Sequence, residues 1–444
     1  MQDRGLLSAM PRKMEGLGVF TRSLKFKLNR ILISITSICV VMHALGTPAF
    51  ASGGPWVSAW QGSPMTGGTF FSPGCPSDVG LSNQTIRNVV YLSAGGDKVR
   101  VRISNAFGFE PLNVGAATVA VSVGGAAIVP GTLRTLQFSG KTSIIVAADS
   151  EALSDPVDLS IPPLTTLAVS VFLPNSTGLA TQHFLAVQTN FIGAGDISGI
   201  TDGSGFTQNI SCWMFVSGVD VEASPRVKGA LVALGDSITD GYLSTTNANR
   251  RYPDVMARRL AARNGETLSV SAAAITGNEL LTNRPVFPMF GVPVPSRLAR
   301  DVLNQADAKA VILLEGINDI GDVGTTADVL IAVDQQIILA CHNAGLRIYG
   351  GTLTPFGGSN AIYGGNYGTP FGEQQRQAVN DWIRTSGAFD GVIDFDLALR
   401  DPSNPMNLLP AYAGDALHPN DAGYQVMGNI VDLDAILRDI DKSH

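Results

Sequence analysis

Residues 230–241 read Ala230-Leu231-Val232-Ala233-Leu234-Gly235-Asp236-Ser237-Ile238-Thr239-Asp240-Gly241. A short continuous apolar run ends in a glycine and a polar turn, which is how a strand buried on both faces enters a helix. Four more short apolar runs follow: Leu268–Ala273, Ala310–Leu314, Leu346–Gly351 and Val392–Phe395. Helical patterns separate them, over Pro253–Arg263, Ser296–Gln305, Ala327–Asn343, Glu373–Thr385 and Asp421–Leu437. The alternation predicts an α/β fold, a three-layer α/β/α unit around a five-stranded parallel sheet of flavodoxin type. In such a sheet, ligands bind beyond the carboxyl ends of the strands. Chemistry is therefore sought just after each run.

Upstream the period changes to two. Val99-Arg100-Val101-Arg102-Ile103 alternates apolar and charged residues, and Thr85–Leu92, Ala116–Val123, Ser143–Ala147 and Thr166–Leu173 are similar runs between Gly, Pro and Asn clusters. Half-buried strands at regular spacing predict an all-β sandwich or jelly roll ahead of the α/β unit. Gly95-Gly96 is expected to close a hairpin. Residues 221–228 are expected to be a linker. The predicted organisation is a leader over 1–51, a β-domain over 52–225 and the α/β domain over 226–444.

The leader has Lys25, Lys27 and Arg30, then an apolar stretch from Ile31 to Leu45, then Ala49-Phe50-Ala51. That is the pattern of a secretory signal peptide cleaved after Ala51; the alternative is an uncleaved anchor. The apolar part is shorter than the roughly 20 residues of a membrane span, so no stable anchor is expected after cleavage. The expected location is secreted or periplasmic.

The chain of 444 residues carries a formal charge of −7. The leader holds seven basic and two acidic residues, so its removal leaves −12. An acidic chain without clustered Lys and Arg excludes a nucleic-acid partner. Of four cysteines, Cys39 leaves with the leader. Cys75 and Cys212, near the two ends of the β-half, are a plausible bridge in an oxidising compartment, and Cys341 reads as a small buried side chain. No metal-ligand spacing is visible, and neither metal nor cofactor is expected.

Ser237, at a strand-to-helix turn, can present its hydroxyl above the sheet, although Gly-Asp-Ser is also ordinary turn composition. Ile275-Thr276-Gly277-Asn278 follows the second strand, and Gly316-Ile317-Asn318-Asp319 the third. A glycine admits close backbone approach and an Asn amide can donate to a developing oxyanion; either segment could also merely close a turn. Asp415-Ala416-Leu417-His418-Pro419-Asn420 precedes the last helix, with an Asp placed to orient the imidazole. Past the leader the histidines are His183, His342, His418 and His444. His444 is terminal, His342 lies mid-helix at the wrong end of the unit, and His183 belongs to the β-half, where it reads as a surface or packed histidine, with reach to the cleft across the domain interface as the alternative. His418 is left as the base.

With Gly-Asp-Ser-Ile-Thr-Asp-Gly, Gly277, Gly-Ile-Asn-Asp and Asp-Ala-Leu-His-Pro in this order, the α/β half resembles the SGNH (GDSL) hydrolase family. One departure is Ala272-Ala273-Ala274, where relatives often show Asn-Ala-Gly. Upstream, Ser104-Asn105-Ala106-Phe107-Gly108 and Leu153-Ser154-Asp155-Pro156-Val157 resemble a xylan-esterase-like branch with an N-terminal β-domain. So do Gly351–Phe356 and Val379–Arg384.

The resemblance implies a serine esterase with Ser237 as nucleophile, His418 as base and Asp415 as its partner. It implies an oxyanion hole of the Ser237 and Gly277 N–H groups and the Asn318 amide. The expected substrate is a short acyl ester, acetyl above all, on a polysaccharide or oligosaccharide. The alternatives are an arylesterase or lipase on small lipophilic esters, and a non-catalytic carbohydrate-binding surface protein.

Asp236, Asp240, Glu315 and Asp319 read as scaffolding. Arg251 and Tyr252 read as a solvated cap, with lining of the cleft as the alternative. The Gly-, Asn- and Tyr-rich stretch Ser359–Pro370 is either a substrate-holding loop or a disordered one.

Overall fold

In the strand Thr166–Leu173 every second side chain, Leu167, Val169, Val171 and Leu173, is fully buried in one core. The same alternation places Val99, Val101 and Ile103 of the strand Gly96–Asn105 in that core from the opposite side. The computed structural model describes residues 56–68, 75–284 and 287–442. The leader, its cleavage position after Ala51 and His444 lie outside the described residues.

Thr166–Leu173 sits inside a seven-stranded antiparallel sheet, between Gln84–Tyr91 and Ala116–Gly124. Gly96–Asn105 sits inside a five-stranded antiparallel sheet with Val216–Ala223 and Val157–Ile161. The two inner faces share one apolar core, which makes this half an all-β sandwich. Cys75 and Cys212 are joined by a disulfide within it. The expected hairpin at Gly95-Gly96 is not formed. Gln84–Tyr91 and Gly96–Asn105 belong to different sheets, so the glycine pair turns the chain from one layer to the other.

From Val227 the strands bury both faces: Leu231, Val232, Ala233 and Leu234 are all inaccessible, as are Val311, Ile312, Leu313 and Leu314 or nearly so. Val227–Gly235, Thr267–Ala274, Ala308–Leu314, Arg347–Gly351 and Gly391–Ile393 form the parallel sheet, in the spatial order 2-1-3-4-5. The helices Tyr252–Ala261 and Asp421–Ile430 pack together on one face. Ala327–Asn343 and Pro370–Thr385 pack together on the other. The result is a three-layer α/β/α unit of flavodoxin type.

Four expected elements differ. The linker shrinks to Ser224–Arg226, because 221–223 and 227–228 lie in strands. The helix expected over 296–305 is an α-turn, Val294–Leu298, continued by a π-turn, Ala299–Leu303. The fifth strand ends at Ile393, where Asp394 caps a short helix, Phe395–Leu399. The last expected helix is two: Asp421–Ile430 stops at Val431, and Asp432 accepts from Ala435 N–H to start Leu433–Asp441.

Although their cores are separate, the halves form one compact unit over Ser52–His444. Backbone and side-chain hydrogen bonds cross between them. Ser58 N–H donates to Ala306 O at 3.0 Å, Gln61 Nε2 to Asp301 O at 3.0 Å, and Val270 N–H to Ser93 Oγ at 2.9 Å. Among the described residues no helix is long and apolar enough to cross a membrane.

Candidate active site

The strand Val227–Gly235 delivers Ser237 to the switch point between the first and third strands. Gly235 is required there: a Cβ would lie 2.1 Å from Thr239 Oγ1 and 2.5 Å from Leu314 O. Asp236 accepts from Ile238 N–H at 2.9 Å and opens the short helix Ser237–Asp240. Ser237 Oγ lies 2.9 Å from His418 Nε2. His418 Nδ1 lies 3.1 and 3.2 Å from the two oxygens of Asp415. Since a carboxylate only accepts, Nδ1 carries the ring hydrogen and Nε2 is free to accept from the serine.

The Asp415–His418 segment braces itself, because Asp415 Oδ1 also accepts the Leu417 and His418 N–H groups at 2.7 Å. Burial alone would raise the Asp415 carboxyl. The hydrogen bond and charge of His418, with a further bond from Tyr363, hold it well below the usual carboxylate range. Asp415 therefore stays ionised beside the imidazole. Ser237 and His418 are both almost fully buried, so the contact between them is shielded from bulk water.

Gly277 and Asn318 arrive from the neighbouring strand ends. Ile275–Asn278 is a turn closed by Asn278 N–H donating to Ile275 O at 3.0 Å. Gly277 has φ +78°, and a Cβ there would lie 2.6 Å from the Phe290 ring. With Thr276 at negative φ, this is a type II pattern, which reserves its third position for glycine. Asn318 Nδ2 donates to Asn278 O at 2.9 Å, joining the second and third strand ends. Asp319 ties the same two loops by accepting the Leu280 and Leu281 N–H groups at 2.9 and 3.1 Å. Burial pushes its carboxyl up to about 7. Asp236 is likewise pushed to about 7, first by burial and then by its carboxylate neighbours. Beneath it Glu315 is raised too, by burial and by Asp236.

The stretch Ser359–Pro370 is ordered against the site. Tyr363 OH donates to Asp415 Oδ2 at 2.6 Å, and Tyr367 OH to Asn318 Oδ1 at 2.7 Å. Because the Asn278 carbonyl only accepts, its contact fixes Nδ2 as the donor end of the Asn318 amide, and the Tyr367 hydroxyl donates to the other end. Tyr242 stands edge-on to the His418 ring, with centroids 4.7 Å apart. The sequence offers one signal for the loop tyrosines, an unusually Tyr- and Gly-rich connection after the fourth strand. It does not say which site atoms they meet.

Two expectations need correction. Arg251 and Tyr252 are not a solvated cap. Arg251 is buried, donates to Ala186 O and faces the Trp213 ring at 5.4 Å, while Tyr252 is fully buried with its OH 3.3 Å from Thr239 Oγ1. The β-half covers this helix start, so solvent never reaches it. His342 is not mid-helix but in the last turn of Ala327–Asn343, where it pairs with Asp390 at 2.9 Å. His183 does lie in the β-half, packed and buried at its boundary with the α/β half, 2.9 Å from Asp240. Among the described residues, no group of three or more His, Cys, Asp or Glu is arranged to hold a metal ion.

Similarity to a hydrolase family marks the α/β half as a carboxylic ester hydrolase. Residues 233–426 match the model of the GDSL-like lipase/acylhydrolase family. No curated protein matches the chain in sequence. Among solved structures, the chain is similar to a family two carbohydrate esterase from Clostridium thermocellum in complex with cellohexaose, at 14% identity and TM-score 0.36, covering 83% of this chain and 96% of that one. It is also similar to the native M. smegmatis aryl esterase, at 14% identity and TM-score 0.35, covering 45% and 94%. A GDSL-like lipase from Bacteroides thetaiotaomicron, at 17% identity and TM-score 0.36, covers 48% and 89%.

Proposed function

We propose that the protein is a secreted serine esterase that hydrolyses short-chain esters, acetyl above all, on a carbohydrate. The observation that carries the chemistry is the continuous relay from Ser237 Oγ through His418 to the ionised Asp415. Ser237 attacks the ester carbonyl while His418 Nε2 takes its proton. The negative oxygen of the tetrahedral intermediate is met by the Ser237 and Gly277 N–H groups and by Asn318 Nδ2. His418 returns the proton to the departing alcohol, and water then repeats the cycle on the acyl-enzyme. Asp415 holds the ring and stabilises its charged form. A sugar hydroxyl in place of water would make the same residues a transferase.

A carbohydrate substrate is supported by the acidic charge left after removal of 1–51, by the β-half covering 52–225, and by the tyrosines over the site. Tyrosine faces suit sugar rings. Export is supported by the leader pattern and by the Cys75–Cys212 bridge, which persists in oxidising compartments.

One observation favours the second reading, small lipophilic esters. Leu243, Leu281, Val323, Ile362 and Phe371, all on segments that follow the carboxyl ends of the sheet strands, expose 38–59% of their surface. Acetate release from acetylated xylan, compared with tributyrin cleavage by the same preparation and by Ser237→Ala, separates the two. Faster turnover of tributyrin with no acetate release overturns the carbohydrate assignment.

A further inference from the structure

His183 lies on the two-residue strand Gln182–His183 of the β-half, and its ring is buried. Nδ1 is 3.0 Å from Ser63 O. Nε2 is 2.9 Å from Asp240 Oδ1 and 3.2 Å from Leu185 O. Carbonyl and carboxylate oxygens only accept, so both ring nitrogens carry hydrogen and the ring is an imidazolium. Burial would favour the neutral ring, but the Asp240 carboxylate reverses that preference. The arrangement is rigid, since Trp213 packs against the ring with centroids 5.3 Å apart and Arg251 covers Trp213.

Asp240 closes the short helix begun by Ser237. Its second oxygen, Oδ2, accepts Thr276 N–H at 3.0 Å and Thr276 Oγ–H at 2.8 Å. The next peptide, between Thr276 and Gly277, carries the Gly277 N–H. In a type II turn this central peptide is reversed relative to type I, so its orientation decides where that N–H points. Two bonds from Thr276 to one oxygen hold the near side of the peptide, and the Asn278-to-Ile275 bond holds the far side. Which way Asp240 turns Oδ2 depends in turn on what holds Oδ1, and that is His183.

We propose that His183 is a positioning residue for the oxyanion hole, acting across the boundary between the halves through Asp240 and Thr276 on the Gly277 N–H. The inference rests on Gly277 being a hole donor in the esterase mechanism above. It makes the β-half a working part of the catalytic unit rather than a detachable binding module. Without His183, Asp240 is a buried carboxylate lacking its counter-charge, and it turns toward other donors at the expense of Thr276.

The test uses the full chain and p-nitrophenyl acetate. His183→Asn removes the donor at the Nε2 position and is expected to lower kcat about 10²-fold with KM within about twofold, the effect of a hole donor displaced by a fraction of its reach. Affinity for a trifluoromethyl ketone that forms the tetrahedral adduct should fall by the same factor. His183→Gln keeps an N–H near that position and should restore kcat to within about tenfold of the parent. Wild-type kcat in folded His183→Asn, or equal losses in the Asn and Gln variants, overturns the proposal. If His183→Asn does not fold, Thr276→Val probes the same link from its other end, with about a tenfold lower kcat expected at constant KM. Unchanged kcat in Thr276→Val overturns the proposal as well. Loss of activity in Ser237→Ala alongside wild-type kcat in these variants refutes the role of His183 alone. Activity surviving in Ser237→Ala refutes the site assignment and this inference together.

Discussion

The two halves bury their sheets by opposite means. In the β-half, Leu167, Val169, Val171 and Leu173 point into the sandwich and the alternate positions point out. The outer face can therefore carry polar chemistry within the strand itself. Arg87, on the strand Gln84–Tyr91, is fully buried there, donates to Ser170 Oγ and Ile200 O at 2.8 Å and stacks on Phe206 at 4.2 Å. Burial pushes its guanidinium down to about 10. The parallel sheet has no such freedom, because both faces are covered by helices. Its candidate site residues Ser237, Gly277 and Asn318 lie past the strands' carboxyl ends, with the loop tyrosines Tyr363 and Tyr367 bonded to Asp415 and Asn318. One half carries a buried polar network on the outer face of its strands, and the other gathers its candidate site residues on the loops past its strand ends.

The comparison breaks first if chemistry is not confined to those loops. Ser237→Ala should lower ester turnover by about 10⁴-fold or more with an unchanged thermal unfolding curve. Residual activity close to the parent would place the reacting group elsewhere. Asn318→Ala should lower kcat by about 10²–10³-fold and leave KM nearly unchanged. A loss confined to KM would make Asn318 a ground-state contact.

The β-half is tested through stability. Replacing Cys75 and Cys212 together with alanine opens a loop whose ends are 137 residues apart. It should cost about 2–5 kcal/mol, read as a lower denaturant midpoint. Because the halves form one compact unit, the whole chain should unfold in that shifted transition; a shift seen only by β-half probes would show that the halves unfold separately.

The smallest expected effect lies under the serine turn. Asp236 has a folded-state carboxyl raised to about 7 from an ordinary value near 3.8, so its neutral form is the one the fold favours. That contribution is complete below pH 4 and is lost as pH rises toward 7, since the unfolded chain releases the proton first. Asp236→Asn, which keeps the acceptor for Ile238 N–H, should match the parent near pH 4 and exceed it in stability near pH 8. Chemical denaturation at the two pH values checks the sign.

Much of this was legible because periodicity reports burial directly. Alternation at Val99–Ile103 marks a sheet with one buried face, and unbroken apolar runs at 230–234 and 310–314 mark one covered twice. Ser237, Gly277, Asn318, Asp415 and His418 each lie beyond one of those runs or ahead of the last helix, but the runs leave Gly277 and Asn318 open to plain turn roles, and the resemblance to the SGNH hydrolases singles them out. Elsewhere local pattern misleads. The Gly95-Gly96 pair has hairpin composition, but each flanking strand finds its partners in a different sheet. The break at Val431 falls inside a single apolar periodicity, and only the cap at Asp432 shows that a new helix begins.

What the amino-acid sequence by itself determines here is the pair of architectures, their order and the candidate positions at the strand ends, because burial periodicity and turn composition are local properties. Only the tertiary structure decides the pairings that orient them: Tyr363 with Asp415 across 52 positions, Tyr367 with Asn318 across 49, and His183 with Asp240 across 57. Those depend on loop paths and on how one core seats against another. A hydrogen bond needs its partners within about 3 Å, and no local pattern in the chain encodes that distance.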